Sequence, residues 1–396
     1  MAGSTHALIV SSSQYWHNYR HAAGALTVYD TMRRLGVPDS QIVLMLAGDI
    51  PCDARNAAPG RMVNARADGP NLYRPDIQVD YRGAEVTAES FLRVLSDAVP
   101  PGTAASRRLR STSESRVLIY LTGHGGDEFF KFRDLHEMSS GELADGLAQM
   151  LSSRRCKEVL LLIDTCQAAS MTHQLGTGHA VVSLSSSQLG QNSFSYVVDP
   201  VLGVALSDRF TYHLHRHLMQ RSGSARQPPS VGGLLEALTP RLLHSDAALG
   251  AFGGRGAAEA SQLMLLDYFA QPLQRLVATV TPLSGGGGAV AAAAGAAFGA
   301  SSSSDDVSVA AWEDAERLAF WGGVPQVVAT PGDAPSLGPL AEHGTPPLVL
   351  VAVVACGLVA LLLLLLQRAG QRGTSAWHQL SHPMSYPGPS ASCSRS

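Results

Sequence analysis

The stretch 117–167 constrains this chain more than any other. It reads VLIYLTGHGG, then a segment with helical character, then VLLLIDTCQ at its end. Each half is an apolar, partly β-branched run, a small-residue turn and one reactive side chain: His124 after the first, Cys166 after the second. Short apolar runs of this kind suit strands covered on both faces, as in a parallel sheet. Ligands of open α/β sheets bind beyond the carboxyl ends of the strands. The pattern therefore predicts an imidazole and a thiol on one rim of a sheet, the arrangement a Cys/His nucleophile requires.

The flanking sequence extends the same alternation. Further strands are predicted at 6–13, 41–46 and 180–184, with a hairpin arm at 128–133. Helices are predicted within 15–35, where Leu26, Tyr29, Met32 and Leu35 can share a face, and at 88–99 behind the N-cap Thr87. Three more cover 143–152, behind a Ser139/Glu142 capping box, 208–220 and 233–243. A last apolar run covers 263–269. Strands alternating with helices predict an α/β fold, a mostly parallel sheet flanked by helices.

Composition excludes several functions. The formal charge is −3 with no basic block, so nucleic acid is not an expected partner. Five scattered cysteines without a C-x-x-C pair argue against a disulfide scaffold and a structural zinc site. His213, His215 and His217 alternate on a predicted helix, where i and i+2 side chains do not face each other.

The last third has a different character. Residues 271–346 are rich in Gly, Ala, Ser and Pro and read as a tether. Residues 348–366 carry no charge over 19 positions, enough at about 1.5 Å each to cross a hydrocarbon layer of roughly 30 Å. A membrane helix is expected over 347–367, with Arg368 and Arg372 placing the tail 368–396 in the cytosol and the bulk of the chain in the lumen. That orientation needs an export signal. Because a core-like strand begins at His6, either the signal is expected ahead of residue 1, the favoured reading, or insertion depends on the C-terminal span.

A buried cysteine is usually a small hydrophobe, but Cys166 follows the polar pair Asp164–Thr165 at a strand end. An adjacent imidazole would promote loss of its proton. His124 lies among glycines whose amides, at Gly125 or Gly126, could donate to a developing oxyanion. It leads Cys166 by 42 residues, near the roughly 50-residue lead of His over Cys in caspases.

The two units resemble the legumain/caspase-like cysteine peptidases. More narrowly, the stretches 15–21 (YWHNYRH), 38–47 (PDSQIVLMLA), 79–82 (VDYR), 122–126 (TGHGG), Leu143–Ala144 and 163–171 (IDTCQAASM) are similar to catalytic subunits of GPI-anchor transamidases. The likeness covers roughly residues 6–270, which it implies to be a lumenal caspase-like domain.

The resemblance implies that Cys166 attacks a proprotein carbonyl, that His124 moves the protons and that Asn18 orients His124. It further implies that the ethanolamine amine of a GPI lipid, rather than water, resolves the thioester. Ser186, Ser187 and Gln188 fall where relatives build the pocket for the residue before the cut, with strand-end capping as the alternative for the serines; Asp164 lines that pocket or caps the turn. Cys52 becomes a candidate for an intersubunit disulfide.

The chemistry requires no cofactor. A structural calcium would rest on Asp39, Ile42, Gln78 and Asp80, with Gln78 standing where a glutamate is expected. The implied partners are other transamidase subunits, proprotein C-terminal signal peptides, the GPI lipid and the endoplasmic reticulum membrane. Two other readings stay open: a legumain-type asparaginyl endopeptidase that hydrolyses its thioester, and an inactive caspase-like scaffold.

Overall fold

The computed structural model describes residues 3–66, 69–222 and 227–271. The expected tether, membrane helix and cytosolic tail, from residue 272 onward, lie outside the described residues. Among the described residues no helix is long and apolar enough to cross a membrane.

The chain opens with β1 (Thr5–Ser11), buried throughout. It is followed by β2 (Ile42–Leu46), the two-residue β3 (Tyr81–Arg82) and β4 (Arg116–Thr122). A small sheet of β5 (Gly125–Gly126), β6 (Phe129–Phe132) and β7 (His136–Ser139) comes next. Then follow β8 (Glu158–Asp164), β9 (Val181–Ser185), a short hairpin of β10 (Val198–Asp199) and β11 (Val204–Ala205), and finally β12 (Ala248–Ala251).

Seven strands form the central sheet in the order β12-β9-β8-β4-β1-β2-β3. All its pairings are parallel except that of β12, which runs antiparallel to β9.

Side-chain parity along the strands divides the core in two, as a period of two requires. Ala7 and Ile9 of β1 face α1 (Tyr19–Arg34), while Leu8 and Val10 face α2 (Ala88–Ser96) and α3 (Ser140–Ser152). The α1 side also receives Phe210, Leu214 and Leu218 of α4 (Arg209–Arg221). Leu26, Tyr29, Met32 and Leu35 are all buried there, as their spacing predicts.

Capping follows the sequence as well. Thr87 accepts from the Ser90 amide at 3.0 Å, and Ser139 with Glu142 closes a capping box ahead of α3. The single helix predicted at 233–243 is instead two, α5 (Val231–Ala237) and α6 (Pro240–Leu243). Pro240 has no N–H to continue a helix and restricts the residue before it, so the break falls there.

Candidate active site

His124 and Cys166 leave the sheet from neighbouring strand ends. In the parallel pairing of β4 with β8, Thr122 stands opposite Asp164, so each reactive residue lies two positions beyond a matched pair. Both are half-buried. The two turns are tied to each other: the Gly123 amide donates to the Asp164 carbonyl at 3.4 Å, and the Ser170 hydroxyl donates to the Gly126 carbonyl at 3.2 Å.

The glycines around His124 are required by close approach, not by backbone angle. A Cβ on Gly123 would sit 2.1 Å from Ser12 Oγ, and one on Gly125 would sit 2.8 Å from Thr165 Oγ1, next to Cys166. One on Gly126 would strike the Phe129 ring at 2.5 Å. Only bare backbone lets the histidine turn lie against both neighbouring strand ends. Of the two candidate oxyanion donors, Gly125 lies at the open edge, half-buried, and Gly126 is buried.

Asn18 fixes the histidine ring. Its Nδ2 donates to the Gln14 carbonyl at 2.5 Å, which leaves Oδ1 to face His124 Nε2 at 2.8 Å. A carboxamide oxygen can only accept, so Nε2 carries the hydrogen and Nδ1 holds the free lone pair. The resemblance implies that Asn18 orients His124, and the two side chains are in hydrogen-bond contact. His124 is held below its ordinary pKa, first by burial and then by the Arg20 charge.

Behind the site lies a buried polar layer. The His21 ring meets His124 edge-on at 5.0 Å, and its Nδ1 lies 2.9 Å from Ser13 Oγ. Arg20 Nε pairs with Asp208 Oδ1 at 3.0 Å. Burial, reinforced by the charge of Asp164, pushes the Asp208 carboxyl up to about 8. Of these, Arg20 and His21 fall inside the YWHNYRH stretch already noted in the sequence; Ser13 and Asp208 carried no motif that marked them.

The four pocket candidates separate by position. Asp164 is fully buried, accepting from Ser193 Oγ at 2.8 Å and Thr211 Oγ1 at 2.7 Å, and burial raises its pKa despite both bonds. The Ser186 and Ser187 hydroxyls both donate to the Thr165 carbonyl, at 3.1 and 2.9 Å, and Ser187 Oγ accepts from the Ala168 amide. They brace the cysteine turn from below. Gln188 is exposed, its amide donating to Gln191 Oε1 at 3.2 Å.

The remaining candidates lie elsewhere. Cys52 is an exposed free thiol at the end of a 3-10 turn, whereas Cys156 is buried and its thiol is pushed up to about 12. Asp39 accepts from the Tyr29 hydroxyl at 2.6 Å, and Asp80 accepts from the Leu44 amide at 2.9 Å. Burial, with the charge of Asp39 adding to it, pushes Asp80 up to about 6. Ile42 is buried and Gln78 exposed. Among the described residues, no three His, Cys, Asp or Glu side chains gather as a metal cluster. The Asp39–Asp80 repulsion and the all-oxygen donors nevertheless fit a hard cation.

With this geometry in view, comparison with known proteins is decisive at the level of family. Residues 5–227 match the Peptidase C13 family. This chain belongs to the Peptidase C13 family. Among curated relatives, a putative GPI-anchor transamidase of Drosophila melanogaster is 49% identical over 214 residues, covering 53% of this chain and 60% of its own length. The GPI-anchor transamidase of Mus musculus is 49% identical over 208 residues, 52% of each chain. That of Schizosaccharomyces pombe is 39% identical over 263 residues, 66% of this chain and 68% of its own. This C13 chain thus spans about half the length of the mouse relative it matches.

Proposed function

We propose that this C13 chain is the catalytic subunit of a GPI-anchor transamidase. The observation that carries the reading is the matched register that delivers His124 and Cys166 to adjacent strand ends, with Asn18 on the far nitrogen of the ring. The transamidases it matches at 39–49% identity supply the reaction class.

Cys166 Sγ, giving its proton to His124 Nδ1, adds to the carbonyl at the attachment site of a proprotein. The Gly125 amide faces the oxygen on which charge develops. The C–N bond breaks, His124 returns the proton to the departing nitrogen, and the hydrophobic C-terminal signal leaves as an amine. The carbonyl remains on Cys166 as a thioester. The ethanolamine amine of a GPI lipid then attacks, losing a proton to His124, and Cys166 leaves as the thiol. One amide has replaced another, with no net change of oxidation state and no cofactor.

The same reading places the chain in the endoplasmic reticulum membrane through the 347–367 segment, beside other subunits of a complex. Cys52, exposed on the lumenal side, bonds one of them. Asp39 and Asp80, with the Ile42 carbonyl and the Gln78 amide oxygen, would hold a structural calcium.

Complementation tests the proposal. In cells lacking this subunit, wild-type chain should restore surface GPI-anchored proteins, while Cys166→Ala and His124→Ala should not. Normal anchoring by either variant overturns the mechanism. Non-reducing gels of the same cells should show a heavier species that Cys52→Ser removes; its persistence would exclude that residue as the bridge.

A further inference from the structure

We propose that Asp134 is an acceptor-binding residue, whose carboxylate holds the attacking amine beside His124 while that amine is still an ammonium. The inference rests on the transamidase reading. A primary alkyl amine is protonated in neutral water, like a lysine side chain, so the acceptor of that reaction arrives as a cation. It must reach a thioester next to His124, whose ring already feels the positive charges of Arg20 and Lys131. Asp134 acts on the same ring in the opposite sense.

Backbone bonds bring Asp134 there. The Lys131 amide donates to the His124 carbonyl at 2.8 Å, and the Arg133 amide donates to the Ser12 carbonyl at 2.7 Å. Ser12 is the residue that a Cβ on Gly123 would strike. The turn between β6 and β7 is thus fastened to the rim at the histidine turn and beside it.

The turn itself does not use the carboxylate. Arg133 and Asp134 hold φ 56° and 57°, in the left-handed region. Aspartate is tolerated there when its side chain bonds local backbone. No such bond forms among the described residues, and Asp134 Oδ2 is buried without a partner. Arg133 differs, since its Nη1 donates to the Ala84 carbonyl at 3.3 Å. Half-buried, the Asp134 carboxylate is neither solvated like a surface acid nor paired like a core one. Such a group is costly to keep, and a docked cation removes the cost.

The protons balance. The ammonium releases one proton to water as it leaves Asp134, and the neutral amine adds to the thioester carbonyl. The new C–N bond replaces C–S, a second proton passes to His124, and Cys166 departs with it as the thiol.

The experiment uses the full chain in membranes of complemented cells, supplied with proprotein and one soluble acceptor. Ethanolamine is cationic at neutral pH and hydroxylamine is not; mass spectrometry reads the ethanolamide and the hydroxamate. Asp134→Asn should form about tenfold less ethanolamide at limiting ethanolamine and recover at saturation, a KM effect, with hydroxamate within about twofold of wild type. Unchanged ethanolamide overturns the proposal. So does equal loss of both products from a variant that accumulates normally, which would make Asp134 a support of the ring. If it does not accumulate, Lys131→Gln decides: removing a repelling charge should raise ethanolamide about twofold at limiting ethanolamine and leave hydroxamate unchanged. No rise overturns the proposal. Either product from a Cys166→Ala control would instead bring down the transamidase reading beneath it.

Discussion

At the scale of single residues, the Asn18–His124 bond determines which ring nitrogen can act. With Nε2 donating to Asn18, Nδ1 is the proton acceptor, and burial with the Arg20 charge keeps the ring neutral to a lower pH than free imidazole. Asn18→Ala should leave the ring free to turn and lower the rate by about 10²-fold. Asn18→Asp should preserve the orientation but put a carboxylate against Nε2, raising the His124 pKa. The acid limb of the pH profile for Cys166 alkylation should then move to higher pH; an unmoved limb would show that the bond is absent in solution. The placing of His124 and Cys166 just beyond neighbouring strand ends was legible from the apolar runs and glycine patterning, and Asn18 from resemblance. Thr211 and Ser170 were not, because their roles come from contacts between segments 47 and 44 residues apart in the chain.

At the scale of elements, the fit of α1 onto the sheet depends on one missing side chain. A Cβ on Gly24 would lie 2.9 Å from the Tyr120 hydroxyl, which donates to Thr211 Oγ1 at 2.6 Å; Thr211 in turn donates to Asp164 behind Cys166. Gly24→Ala should therefore destabilise by about 1–3 kcal/mol through overpacking, despite the better helix propensity of alanine. Equilibrium unfolding checks this, and a stabilised variant would mean that α1 has room to shift.

The elements that sequence patterning located are those with strong periodic signals. The apolar run leading to His124 is the strand Arg116–Thr122, that leading to Cys166 is Glu158–Asp164, and the helix expected at 208–220 is Arg209–Arg221. The hairpin arm at 128–133 appears as β6. Among the strands that escaped, besides the two-residue β3, β10 and β11, was β12, whose sequence ALGA has neither β-branched residues nor alternation and pairs along the edge of β9. The apolar run 263–269 ends as the helix Leu266–Phe269, since a short run does not reveal its own type.

At the scale of the whole molecule, buried titratable groups set opposing pH dependences. Burial lowers His6 and His213 to about 4, and it lowers His21 and His124 below their ordinary value. The unfolded chain protonates these rings below about 6.5, while the folded chain does not, so stability is lost as pH falls from 6.5 toward 4. The raised carboxyls act in the other direction. Asp80, at about 6, and Asp208, at about 8, are protonated in the folded chain where the unfolded chain is ionised. Their contribution declines as pH rises from about 4 through those values.

Burial lowers His215 and His217 as well; below 6.5 these six histidines outweigh the acids, and above it Asp208 acts without opposition from them. Stability should peak near pH 6.5 and fall toward 8 by at most about 1.4 kcal/mol per unit. Asp208→Asn keeps the shape without the titration and should flatten that alkaline decline. Urea unfolding across pH 4–8 decides it; a slope above pH 6.5 that survives in Asp208→Asn would assign the linkage to another group. Calcium between Asp39 and Asp80 would hold Asp80 ionised and stabilise the folded chain by mass action. Adding a chelator at pH 7 should then lower the melting temperature, and an unchanged value would remove the ion from the fold.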